Sequence, residues 1–215
     1  MKPDLPFIPA IKYSFLTPYY DIIIRLVVPE KKIRTYIANL VSEENKKKLL
    51  DVGVGTGTQL TYIQNINPSL DLYGWDVDEQ ILKIAQQKIG HFTHLVCSSP
   101  PFIPFPDNHF DTVVCTWVFH HLTDEQKATL LTEIHRVLKP GGTFVLGDWG
   151  KPKTIWLRMA FCLVQLVDNF ETMRAHEKGE IPAFITQSGF INREEKAHFP
   201  TLMGSFYIIT ADKPA

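Results

Sequence analysis

The stretch Leu49-Leu50-Asp51-Val52-Gly53-Val54-Gly55-Thr56-Gly57-Thr58 decides the fold. A short apolar run enters three glycines at every second position, and a helical pattern follows from residue 58 to 66. Such a run reads as a strand buried on both faces. Glycines at its end let the chain turn with positive φ and let a ligand come against bare backbone. A dinucleotide-binding turn needs Gly-x-Gly-x-x-Gly, with its last glycine where this chain has Thr58. Here the third glycine is Gly57, and Asp51 stands two residues before the first. An aspartate there suits a ligand with an ammonium group and repels a pyrophosphate. A nicotinamide-dependent oxidoreductase is therefore the weaker enzyme reading.

Working outward, further strands are expected at Asp71–Trp75, Thr93–Cys97, Thr112–Thr116 and Thr143–Leu146. Helical patterns lie between them near 78–89 and 124–138, the last starting at Thr123 or Asp124 and stopping at Pro140-Gly141-Gly142. Alternation of this kind predicts a Rossmann-like, doubly wound α/β fold with helices on both faces. Two more runs, 190–198 and 205–211, with a turn near Pro200 to Gly204, predict a closing antiparallel hairpin. The sheet would then have seven strands, mostly parallel. Residues 14–45 read as helical with an interruption near Pro29, and 180–188 as a short helix ending at Gly189.

The second strand ends in Gly74-Trp75-Asp76-Val77-Asp78. A carboxylate about 20 residues past the glycine turn can accept both hydroxyls of a ribose. Asp76 takes that role here, Asp78 caps the next helix, and Val77 is placed to pack on a nucleobase. His120 and His121, after the fourth strand, and Asp148, at the end of the fifth, are the acid–base candidates. All three are expected at one crevice, where ligands of open α/β sheets bind.

Several motifs recur in a fixed order: the glycine loop, Asp76, then Pro104-Phe105-Pro106-Asp107-Asn108-His109-Phe110-Asp111. Trp117-Val118-Phe119-His120-His121-Leu122 and Arg136-Val137-Leu138-Lys139-Pro140-Gly141-Gly142 follow. Over residues 46–150 this series resembles the class I S-adenosylmethionine-dependent methyltransferases, in the branch with the ubiquinone/menaquinone C-methyltransferases. The resemblance implies that Gly53, Gly55 and Gly57 line the methionine and ribose of S-adenosylmethionine, with Asp76 on the ribose hydroxyls; its methionine supplies the ammonium group that Asp51 suits. It also puts Thr116 beside the methionine portion, and Tyr20, with Tyr19 and Asp21, in an N-terminal lid. Where the family usually has an acid for the adenine amino group, this chain has Ser99, followed by Pro100 and Pro101. The N-terminal signature of a quinone C-methyltransferase is absent. The implied activity is methyl transfer by direct displacement to a small or medium-sized, partly apolar acceptor. A cofactor-binding partner subunit without catalysis is the non-enzymatic alternative.

The domain organisation expected is a helical lid at 1–45, the cofactor-binding core at 46–150, and a helix and hairpin at 151–215. The last part completes the same domain and shapes the acceptor site. Its segment 154–170, with Trp156 and Phe161, is apolar beyond one core-facing stripe and suits burial, a greasy pocket or peripheral membrane contact. In 215 residues, 45% apolar and 21% charged, one domain with a full core fits. The formal charge of −1 provides no footprint for a polyanion, so nucleic acid is not the expected substrate. The run Lys46–Lys48 reads as a solvated lead into the first strand. Cys97, Cys115 and Cys162 read as small core residues of a reducing, cytoplasmic compartment, without metal-ligand spacing. No run reaches the roughly 18 apolar residues that span a bilayer.

Overall fold

The computed structural model describes residues 28–42, 47–90, 93–151, 170–201 and 204–215. In chain order these form α1 (Glu30–Val41), β1 (Lys48–Val52), α2 (Thr58–Ile66), β2 (Asp71–Asp76), α3 (Glu79–Ile89) and β3 (Thr93–Cys97). Then come β4 (Phe110–Thr116), a 3-10 turn (Phe119–His121), α4 (Asp124–Val137) and β5 (Leu138–Gly150). The chain closes with α5 (Phe170–Lys178), α6 (Ile181–Gln187), β6 (Ile191–Thr201) and β7 (Gly204–Asp212).

The seven strands form one sheet in the order β3-β2-β1-β4-β5-β7-β6. β1 to β5 are mutually parallel, and β7 runs antiparallel between β5 and β6. Successive side chains of a strand point to opposite faces, and β1 illustrates the result. Leu49 joins the core under α1, α2 and α3 with Ile33, Ile37, Leu60 and Ala85. Leu50 and Val52 join the opposite core under α4 and α6 with Leu131, Ile134 and Ile185. Both faces are covered, which is why the central strands are apolar throughout. The sheet order reverses direction between β1 and β4, and the loops leaving those two strands part at that point, opening a crevice.

Two local devices position the crevice. Asp78 caps α3, accepting from Gln80 N–H at 2.8 Å and Ile81 N–H at 3.3 Å. Thr123 caps α4 in a capping box with Gln126, fixing the chain directly after the 3-10 turn.

Some expectations shift. α4 ends at Val137 as a helix, but Pro140-Gly141-Gly142 lies inside β5 rather than before it. Gly141 has φ +73° and donates to Lys213 O at 3.0 Å, and the β4–β5 register shifts between Phe110 and Thr112. The glycines thus form an irregular start to the strand instead of a loop. α5 was not anticipated, because its buried residues include Thr172 and His176, which carry no apolar periodicity. Cys97 is exposed on the edge strand rather than in the core, while Cys115 is buried. The expected lid (with Tyr19, Tyr20 and Asp21), most of the apolar segment 154–170, and Cys162 lie outside the described residues. No helix among the described residues is long and apolar enough to cross a membrane.

Candidate active site

A cavity of about 320 Å³ sits over the carboxyl ends of β1, β2 and β4. Its glycine wall is Gly53 and Gly55, both at positive φ. A methyl group on Gly55 would meet no atom within 4 Å, so this bare backbone faces open space. Gly53 is different, since a Cβ there would come within 2.3 Å of Val118 across the crevice. Gly57 lies outside the cavity lining, and its missing Cβ makes room for Ile89 of α3 at 2.2 Å. The three glycines thus serve open backbone, loop-to-loop contact and helix packing respectively.

Asp76 lines the cavity at the end of β2. Its Oδ2 accepts from Gly55 N–H at 2.8 Å and its Oδ1 from Asp78 N–H at 3.1 Å. Val77 lines the cavity beside it. Asp51 is buried at the end of β1, and among the described residues its Oδ1 has no hydrogen-bond partner. Burial pushes its carboxyl up to about 7, against a pull downward from Arg34 and with a further push from Asp76. Thr116 is buried at the end of β4 outside the cavity lining, and Ser99 is exposed, also outside it. Pro100 and Pro101 line the cavity instead, and the neighbouring Ser98 hydroxyl accepts from Trp75 Nε1–H at 2.7 Å.

His121 lines the cavity, and His120 lies behind it with ring centroids 3.8 Å apart. Burial, with His120 beside it, pushes His121 down to about 3, leaving a neutral imidazole. Asp148 does not line this cavity. It is buried, with Oδ1 accepting from His120 Nδ1–H at 2.8 Å and from Trp149 N–H at 2.7 Å. Its Oδ2 accepts from Phe119 N–H at 2.8 Å. Burial alone would raise its pKa, but the adjacent His120 and these bonds hold the carboxyl below the usual range. The pair thereby fixes the 3-10 turn that carries His121.

Residues that sequence reasoning missed complete the walls. Trp117, directly after β4, has φ +56°, a strained backbone for a bulky residue. Its ring lies 4.6 Å from Phe206 and beneath the Arg34 guanidinium at 4.5 Å. Gln126, Thr129 and Leu130 form one face of α4 toward the cavity, a spacing of three and four that the helical period of the sequence already contains.

Comparison with known proteins agrees with this architecture. Residues 50–146 match a family described as a methyltransferase domain. A demethylmenaquinone methyltransferase of Thermus thermophilus is 30% identical over 145 residues, 65% of each chain. Among solved structures, YcgJ of Bacillus subtilis superposes with TM-score 0.69 at 16% identity, over 85% of this chain and 98% of that one. Phosphoethanolamine N-methyltransferase 2 of Haemonchus contortus, solved with S-adenosyl-L-methionine, gives 0.62 at 17% identity over 83% of this chain and 51% of that one. The chain spans about half the length of the first curated relatives it matches. The segment that builds the cavity lies within residues 50–146, which match the methyltransferase domain family.

Proposed function

We propose that this chain transfers a methyl group from S-adenosylmethionine to a small or medium-sized, partly apolar acceptor by direct displacement. The observation that carries the reading is the pairing of bare backbone at Gly55 with the carboxylate of Asp76 in one cavity over β1 and β2. The residues fit the cofactor by two further features. Gly55 leaves bare backbone open beside Asp76, and the Oδ1 of buried Asp51 has no hydrogen-bond donor among the described residues, which the methionine ammonium would supply.

In this reading Asp76 holds the ribose hydroxyls with the lone pairs that Gly55 and Asp78 leave over. A carboxylate has about four such sites, of which two are used. Val77 and Ile81 pack against the base, with Pro100 and Pro101 closing that end. Ser99 stays near the base end but outside the lining, so a backbone group there takes the adenine amino group. Gly53, Gly55 and Asp51 serve the methionine end, with Thr116 behind them and Gly57 setting the helix that follows. Tyr20 would cover the cofactor from the N-terminal lid. Residues 1–45 and 151–215 flank the core, and they cover and shape the acceptor side.

Bound there, the cofactor supplies an electrophilic methyl on a sulfonium whose charge is lost on transfer. Trp75, Val118, Leu122 and Leu130 keep water from that centre, which favours loss of charge. Holding the acceptor in line contributes the rest through effective molarity. Where the accepting atom carries a proton, His121 at the wall can accept a hydrogen bond from it and orient it, burial holding its basicity low, and the His120–Asp148 pair keeps the ring in place.

The test is transfer of labelled methyl from S-adenosylmethionine into a metabolite extract. Label should appear in an organic-soluble product with wild type and disappear with Asp76→Ala. Binding of the cofactor without labelling in any extract would point to the non-catalytic partner instead.

A further inference from the structure

The cavity over β1, β2 and β4 is mostly apolar, and α4 brings two polar side chains to its wall, Gln126 and Thr129. Three residues apart, they are neighbours on one face of the helix. Gln126 belongs to the capping box, where its Oε1 accepts from Thr123 N–H at 2.8 Å. A backbone N–H can only donate, so the atom it meets is the oxygen, and the amide cannot turn over. The Nε2 hydrogens have no acceptor among the described residues, and Nε2 is not closed off from solvent. Thr129 is fixed in the complementary sense. Its hydroxyl hydrogen goes to Glu125 O at 2.9 Å, so Oγ1 has only lone pairs to offer a ligand. α4 therefore presents a set donor beside a set acceptor.

The base end of the cavity lies against this helix. Pro100 and Pro101 line it, and the chain after them runs along α4. Ile103 N–H donates to Glu133 Oε2 at 3.0 Å, and Ile103 O accepts from Arg136 Nη2 at 2.8 Å. Thr129 and Gln126 stand about one and two turns before Glu133, and they share the cavity wall with the two prolines. Adenine carries a ring acceptor, N1, beside an amino donor. A 6-oxo purine reverses both, with hydrogen on N1 beside a carbonyl.

We propose that Gln126 and Thr129 read the Watson–Crick edge of the base, Gln126 Nε2 donating to N1 and Thr129 Oγ1 accepting one amino hydrogen. The assignment rests on the cofactor reading, under which Asp76 holds the ribose. It makes the start of α4 the place where an adenine nucleoside is chosen over a 6-oxo purine. The cap at Thr123 takes part in that choice, because it holds the amide in the orientation that suits adenine.

The probes are S-adenosylhomocysteine and S-inosylhomocysteine, titrated calorimetrically into the full-length chain at pH 8. The inosyl compound sets donor against donor at Gln126 and acceptor against acceptor at Thr129. Wild type should bind the adenosyl compound at least about tenfold more tightly. Gln126→Glu keeps the capping box, since Glu serves at that position as Gln does, but replaces the Nε2 donor by an oxygen. It should weaken the adenosyl compound, strengthen the inosyl compound and bring their ratio to about one or below. Thr129→Val keeps the shape of its side chain and gives an independent check, with the ratio falling several-fold. Adenosyl binding with an unchanged ratio in folded Gln126→Glu, or in Thr129→Val should the first variant fail to fold, would overturn this assignment alone. Wild type that binds neither compound would overturn the cofactor reading and this assignment with it.

Discussion

Asp76 Oδ2 accepts the Gly55 N–H at 2.8 Å, so the acidic end of β2 and the glycine loop after β1 form one hydrogen-bonded unit. The same carboxylate proposed to hold a ribose therefore also holds the loop that approaches it. Asp76→Asn keeps the shape but places an amide where one oxygen accepts. S-adenosylmethionine affinity should fall by about ten- to a hundredfold, the range for charge-assisted bonds to a carboxylate. Calorimetry measures it. An unchanged affinity would separate Asp76 from the ligand.

Alanine substitutions should divide the glycines by role. Gly57→Ala must displace Ile89 and adopt φ +72°, so a loss of about 2–4 kcal/mol is expected from crowding and left-handed strain together. Gly55→Ala meets no neighbour, so only the strain of about 1–2 kcal/mol applies to folding. Its larger effect should be on cofactor binding, where the methyl occupies the ligand's approach. Urea denaturation and calorimetry on both variants check this pattern, and equal effects on binding would contradict it.

That division was only half legible in the sequence. Strand, glycines and Asp76 were readable because apolar runs and turn residues mark the ends of parallel strands. Which glycine faces the cavity and which faces Ile89 depends on how α3 packs, which spacing along the chain does not specify. Asp148 was expected at the same crevice as His121, since both follow neighbouring strands. In the structure its bonds to His120, Phe119 and Trp149 hold it outside the lining of the cavity that His121 reaches. A lone histidine in a polar helix has no sequence pattern, so only the contact with the Trp149 carbonyl marks His176. The positive φ of Trp117 is likewise set by tertiary packing against Phe206 and Arg34.

Asp51 should destabilise the ligand-free protein at alkaline pH. Its folded pKa is raised from 3.8 to about 7 by burial, so the folded state holds a proton that the unfolded state releases. Stability from this group is complete below pH 3.8 and is lost as the pH rises toward about 7. Asp51→Asn removes that loss, which amounts to roughly 4 kcal/mol at most for such a shift. Without ligand the variant should melt several degrees higher than wild type at pH 8, by roughly 2–4 °C per kcal/mol. It should also bind S-adenosylmethionine more weakly. A lower melting temperature at pH 8 would contradict the account.

The buried histidines act in the opposite direction. Burial holds His121 at about 3 and His176 at about 4, below the ordinary 6.5, so the unfolded state binds protons that the folded state refuses. Their contribution is present above pH 6.5 and is lost as the pH falls toward those values. Asp51 opposes this over part of the same window, so the difference between variants is the clean measure. Between pH 4.5 and 6, His121→Gln should flatten the dependence of unfolding free energy by about 1.4 kcal/mol per pH unit, one proton. Urea denaturation at several pH values supplies the slopes, and parallel curves would show that His121 is not held neutral.

The most direct test of the central claim is a calorimetric titration of the folded, full-length chain with S-adenosylmethionine and with its demethylated product, repeated on Gly55→Ala. The account predicts saturable binding of one equivalent in the micromolar range for wild type, largely lost in a variant that remains folded. Folded wild-type protein that gives no binding heat with either compound across a range of temperatures would contradict it.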